Sequence, residues 1–334
     1  MRISSSVTSV SWIPSEGIRT LSLRAPFDAG LLRYDEPLPD VLDDLESLKH
    51  DDRFRFANDL QAWIEVAGGR ITGHGFSGRG HINRTKLRLG SRELVFQPTS
   101  FRDIQSAEVG DGWVRFTQTS GGRTGLPAPR RVQRRPFVQF VAPTVWTTLR
   151  LTVRTDGTSE HEVVGASAFP RHWIYDSEHR LVAKSGLLDF EGWYRHAFGG
   201  HTPWGDEDSP ALIAEAESAL ERELSHSIMR GARPKMRALE VGDVLVEQGG
   251  TGSDLFLLLD GILSVEVDRE PLAELGPGAI VGERALLEGG RRTSTLRAIT
   301  RCRLAVAPAE SVDREALVKL SGAHRREETT ILDA

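Results

Sequence analysis

Glu283 and Arg292 hold the clearest chemistry in this 334-residue sequence. They belong to a run Gly282-Glu283-Arg284-Ala285 that is followed, after a short loop, by Arg292-Thr293. Glycine at 282 lets the backbone pass close to a bound molecule. A short helix opening at Glu283 would aim free N–H groups and a positive dipole end at an anion, and a phosphate fits such a place. Arg292 supplies a planar, permanently charged fork for the phosphate oxygens, which lysine would grip less specifically. Glu283 is an acceptor for a sugar 2′-hydroxyl and so favours a ribose over its deoxy form. Thr293 and Ser294 add hydroxyls for the phosphate or for a base. A Gly-Glu pair or a single arginine would mean nothing alone, since Glu283 and Arg292 could form an ordinary ion pair on a turn. Their conjunction is what points to a ligand.

The surrounding sequence must place these groups, and it does so with short strands cornered by glycines. Strand-like stretches are expected at 237–240, 244–247, 255–259, 262–267 and 272–275. Gly242, Gly249, Gly250, Gly252, Gly261, Gly276 and Gly278 mark the bends. So many glycine corners suit the tight turns of a small β-roll.

From about Met236 onward this pattern resembles the cyclic-nucleotide-binding domain. That family includes regulatory subunits of cAMP-dependent kinase, catabolite activator proteins and cyclic-nucleotide-gated channels. Its cassette runs Gly-Glu, any residue, Ala, two apolar residues, a short loop, then Arg and small residues. Here the places are filled by Gly282, Glu283, Ala285, Leu286, Leu287, Arg292 and Thr293. Val281 stands where the family often has an aromatic, and Arg284 where it usually has an apolar residue. The resemblance covers the last third of the chain and none of the rest. It implies Gly282, Glu283, Arg284, Ala285, Arg292 and Thr293 as binding positions, cAMP or cGMP as the ligand, and no other cofactor. Both bases stay open, because threonine after the arginine occurs in relatives of either preference. In the family an aromatic from a following helix often covers the base. Phe256 is the last aromatic here, so the cover is left to Arg325 or Arg326, to the N-terminal part or to a second subunit. The leading reading of Arg325 and Arg326 is a solvated tail with Glu327 and Glu328, ahead of stacking on a base. With the chain ending at Ala334, no helix-turn-helix DNA reader is expected after the roll.

Composition narrows the remaining classes. Hydrophobic residues at 39% and charged residues at 27% describe an ordinary globular chain, and the net charge of −5 argues against a surface built to hold nucleic acid. No apolar run approaches a membrane span and the start has no apolar signal core, so a cytoplasmic location is expected. The single cysteine, Cys302, excludes an internal disulfide.

Residues 1–205 read as a β-rich domain, an antiparallel barrel or sandwich of unassigned function. A helix is expected at 39–49, where Val41, Leu42, Leu45 and Leu48 recur at helical spacing. Hairpins are expected across Gly68-Gly69, across Asp156-Gly157 and between 173–175 and 181–183, with a further alternating stretch after Asp111-Gly112. Residues 206–233 read as a linker helix, with Ser209 as N-cap and Pro210 in its first turn. Residues 234–334 form the nucleotide-binding domain.

Other signals in the first part are weak. Gly73-His74-Gly75-Phe76-Ser77-Gly78 matches a dinucleotide fingerprint by letter, but the following residues read as a strand, so a glycine bend is expected. Arg123, Arg130, Arg131, Arg134 and Arg135 form a basic loop. Glu160, His161 and Glu162 lie together with no nucleophile placed for them, and the histidines show no metal-ligand spacing. The expectation is a regulatory protein in which the C-terminal sensor controls an N-terminal effector or interaction domain, with a protein partner or self-association. A nucleotide-gated enzyme or small-ligand carrier, and a partner-docking scaffold, are the alternatives.

Overall fold

The computed structural model describes residues 1–18, 21–125, 128–131, 138–185, 188–190, 193, 203–204, 213–215, 235–252, 254–282, 285 and 290–307. The chain divides into two units, Met1–Ile213 and Ala214–Ala334. The first begins with β1 (Arg2–Trp12), the helices α1 (Leu21–Asp28) and α2 (Leu45–His50), β2 (Phe56–Ala67), β3 (Arg70–Phe76) and β4 (Gly80–Ile82). The hairpin β5 (Thr85–Leu89) and β6 (Arg92–Phe96) follows, then β7 (Thr99–Ser100), β8 (Ile104–Gly110) and β9 (Trp113–Arg123). After the pair β10 (Ala128–Arg131) and β11 (Val138–Val141) come β12 (Thr144–Arg154), β13 (Ser159–Ala166), β14 (Arg171–Tyr175) and β15 (Leu181–Ser185). β16 (Ile213–Glu215) spans the division between the units.

A seven-stranded sheet runs β16-β15-β14-β1-β2-β3, with β4 also on β2. A five-stranded sheet runs β13-β12-β9-β7, with β8 also on β9. Alternation builds the layer between them. Val7, Leu60 and Ile64 of the first sheet pack with Phe116, Leu149 and Leu151 of the second, all fully or almost fully buried. The result is a sandwich, and among the described residues no sheet closes into a barrel. A second core of Val10, Trp12, Leu38, Leu42, Phe54 and Trp173 gathers the 38–54 segment against β1 and β14. The hairpin turns fall as expected, because Gly68, Gly69, Gly112 and Gly157 adopt the positive φ that those corners need.

The second unit continues with β17 (Lys235–Leu239), β18 (Val244–Val246), β19 (Leu255–Asp260), β20 (Leu263–Val267), β21 (Glu270–Leu275), β22 (Ile280–Val281), β23 (Thr295–Ala298) and β24 (Cys302–Ala307). They form two four-stranded antiparallel sheets, β17-β24-β19-β22 and β18-β23-β20-β21. Phe256, Leu258, Leu263, Val281, Leu296 and Leu304 make one core from strands of both sheets. This is the expected roll.

Three expectations are corrected. The helix at 39–49 is confined to α2, because Asp44 caps it through a bond from the Glu46 N–H while Leu42 donates to the His179 carbonyl. Val41 is therefore extended and bridged to Arg180. Gly73 to Phe76 is strand, not a bend: a Cβ at Gly75 would lie 2.9 Å from the Trp63 ring, so that glycine serves close approach across the sheet. Within the expected linker helix, Ile213–Glu215 is a strand on the sheet edge, where β15 offers backbone partners that outweigh helical spacing. The rest of that helix lies outside the described residues.

Candidate functional site

Of the residues expected to bind, Gly282 and Arg292 lie where three glycine-rich stretches meet. Gly249 donates to the Arg292 carbonyl at 2.7 Å, Arg292 donates back to the Gly250 carbonyl at 2.8 Å, and Gly252 donates to the Gly290 carbonyl at 3.1 Å. Stretch 290–292 is thereby fastened along 249–252, with Thr251 bridged to Arg291. The β19–β22 pairing sets Phe256 opposite Val281, and Gly282 directly follows that strand.

The guanidinium of Arg292 lies inside this junction, only 7% exposed. Its Nη2 donates to the Asp254 carbonyl at 2.9 Å and its Nη1 to the Gly282 carbonyl at 3.3 Å. The Phe256 ring centroid lies 5.8 Å from its Cζ, which adds a cation–π contact. Two glycines make room. A Cβ at Gly282 would come within 2.5 Å of Nη1, and one at Gly252 within 3.0 Å of Nη2. Gly282 also has φ of +98°, a left-handed conformation that any side chain would strain.

Of the other expected positions, Ala285 is buried at 1% exposure and Thr293 is half-buried. Glu283 and Arg284 lie outside the described residues, as do Arg325 and Arg326. The structure thus brings Gly282 and Arg292 together, while Ala285 accepts from the Gly290 N–H and Thr293 adjoins Arg292 in the chain. It also gives Gly252, expected only as a corner, the role of a second space-maker, and adds Asp254 as a carbonyl support. The available signal was their place on the strand side of the glycine corner, but a carbonyl contact leaves no residue-type signature.

No comparable constellation emerges from the weak signals of the first unit. Glu160 and Glu162 pair across the β12–β13 ladder with Arg154 and Arg150 at 2.8 and 2.7 Å. Arg130 and Arg131 belong to β10 and Arg123 ends β9, whereas Arg134 and Arg135 lie outside the described residues. Burial pushes the Cys302 thiol up to about 11, so it is not a poised nucleophile. Among the described residues no group of carboxylates, histidines and cysteines could hold a metal, and no helix is long and apolar enough to cross a membrane.

Residues 236–316 match the family model described as the cyclic nucleotide-binding domain. The matched stretch lies within the C-terminal unit, Ala214–Ala334. Human potassium/sodium hyperpolarization-activated cyclic nucleotide-gated channel 3 is 28% identical over 150 residues, 39% of this chain and 19% of the channel. Channel 4 of the same group from Oryctolagus cuniculus is 30% identical over 99 residues, 30% of this chain and 8% of the channel. The chain therefore spans less than a fifth of these relatives' length. Among solved structures, cAMP-bound PfPKA-R is 19% identical with a TM-score of 0.29, covering 34% of this chain and 40% of that one. The N-terminal domain of a transcriptional regulator from Streptomyces coelicolor A3(2) is 24% identical with a TM-score of 0.25, covering 33% and 83%.

Proposed function

We propose that the chain is a regulatory protein whose C-terminal domain binds cAMP or cGMP and thereby controls the N-terminal sandwich. The buried guanidinium of Arg292, seated beside Gly282 within the matched domain, carries this reading. Glu283 receives the ribose 2′-hydroxyl, Arg292 and the N–H groups following Gly282 take the cyclic phosphate, and Thr293 adds a hydroxyl bond. Arg284 and Ala285 are the remaining proposed binding positions. The ligand is the nucleotide itself, without a further cofactor. The expected setting is the cytoplasm, with a protein partner or self-association as the output.

Coupling follows the chain. β16 belongs to the seven-stranded sheet and spans the point where the two units divide, so displacement of the residues after it loads that sheet edge. Hydrogen exchange of the full chain with and without cAMP tests both parts. Binding predicts slowed exchange at 249–252 and 290–293, and control predicts changed exchange in β15 and β16. Unchanged exchange throughout would contradict the whole reading, whereas a change confined to 249–293 would remove control and leave binding.

A further inference from the structure

The first unit contains a cavity of about 560 Å³, within the usual range of small-molecule sites. Part of its lining is aromatic. Phe169 and Trp193 meet at 5.2 Å between ring centroids, with Phe190 at 5.0 and 5.7 Å from them, and Phe27 stacks on Tyr34 at 4.5 Å. The Trp193 ring is held in place by its Nε1–H bond to the Thr144 carbonyl at 2.6 Å. Such a surface suits a flat or flexible apolar body.

The polar part of the lining is a connected set. Arg55 donates from Nε to Asp35 at 3.0 Å, from Nη2 to Asp52 at 2.9 Å and from Nη1 to the Arg84 carbonyl at 3.0 Å. Asp35, almost fully buried, also accepts from the Ile13 N–H at 2.8 Å. Asp52 follows α2 with φ of 59°, a left-handed position that glycine would fill with less strain. Aspartate there places a carboxylate on the cavity wall. Its Oδ2 faces the Lys86 ammonium at 3.6 Å, beyond hydrogen-bond length. Among the described residues Lys86 has no other ion-pair partner, so the inner carboxylates are engaged while its donors remain available. Arg33, exposed at the lining, likewise has no ion pair among the described residues.

We propose that this cavity binds a small amphipathic organic acid, its apolar or aromatic body against the aromatic lining and its carboxylate on Lys86. This site is separate from the cyclic-nucleotide reading and does not depend on it.

The test uses the full chain and two fluorescent probes, 8-anilinonaphthalene-1-sulfonate and its uncharged counterpart N-phenyl-1-naphthylamine. Leu32, a half-buried lining residue, is changed to Trp to fill the space, and Lys86→Gln removes the cation without altering the walls. Saturable binding of the anionic probe is expected, lost in Leu32→Trp and weakened about tenfold in Lys86→Gln, with the uncharged probe shifted less than about twofold by Lys86→Gln. Arg292→Ala is expected to leave both probes unchanged, which separates this result from failure of the nucleotide site. Absence of saturable binding, an unchanged anionic probe in Lys86→Gln, or equal weakening of both probes would overturn the proposal. Should Leu32→Trp fail to fold, the Lys86→Gln comparison decides alone.

Discussion

Main-chain groups hold Arg292 at both ends: its own backbone is tied to Gly249 and Gly250, and its guanidinium rests on the Asp254 and Gly282 carbonyls, beside the Phe256 ring. Space around it is therefore set by glycine. Gly252→Ala is expected to fold normally, shift the guanidinium by a few tenths of an ångström and weaken cAMP binding about tenfold, read by titration. Gly282→Ala adds strain at a positive φ and is expected to lower stability by about 1–3 kcal/mol in chemical denaturation as well. In the first unit two buried groups oppose one another. Burial lowers His172 to about 4 from its ordinary 6.5, so the folded state takes up its proton later than the unfolded chain, and stability is lost as pH falls from 6.5 to 4. Asp35 is raised by burial to about 6 from 3.8, against the pull of Arg55 and the Ile13 N–H. The folded state holds its proton longer, so stability is lost as pH rises through the same interval. Each shift corresponds to about 3 kcal/mol, and the two nearly cancel between pH 4 and 6. Asp35→Asn is expected to steepen the acid loss, and His172→Asn to flatten or reverse it, in unfolding curves taken across that interval.

Among the elements, the sandwich is tied by polar groups as well as by its apolar layer. Asn58 of β2 donates to the carbonyls of Gln118 on β9 at 3.2 Å and Thr147 on β12 at 3.0 Å, and it accepts from the Gln118 side chain at 2.8 Å. Asn58→Leu leaves these buried groups short of partners and is expected to cost about 2–3 kcal/mol by denaturation. The strands were the legible elements. Alternating residues around Gly68-Gly69 and Asp156-Gly157 declare both a sheet face and a corner, and the same holds for the glycine-cornered roll. Elements decided by distant partners were not legible. Val41 has helical spacing but pairs with Arg180, far along the chain, and Ile213 has a helical context but joins a sheet edge. Gly75 was expected in a glycine bend and instead lies in a strand, where it admits the Trp63 ring. The cavity beside Asp35 draws on residues from 13 to 193, and no local pattern announces it.

The molecule as a whole has two units, a roll that matches the cyclic nucleotide-binding domain and a sandwich that contains a cavity. Glycines, an arginine and apolar alternation spell the roll almost locally, whereas the contacts that seat Arg292 join 249–254 to 282 and 290–292 and had to come from the structure. The sandwich assembles its polar groups across many strands, so its shape was readable and its chemistry was not. Nucleotide control of the first unit predicts that saturating cAMP changes the exchange rates of β15 and β16 amides, whereas an independent sensor predicts no change there. The central claim rests on Arg292, and calorimetric titration of the full chain with cAMP and cGMP, beside Arg292→Ala, tests it most directly. Saturable binding of at least one nucleotide is expected, weakened by about 3 kcal/mol, or roughly 100-fold, in the variant. No saturation below the millimolar range, or an Arg292→Ala protein that binds like its parent, would contradict it.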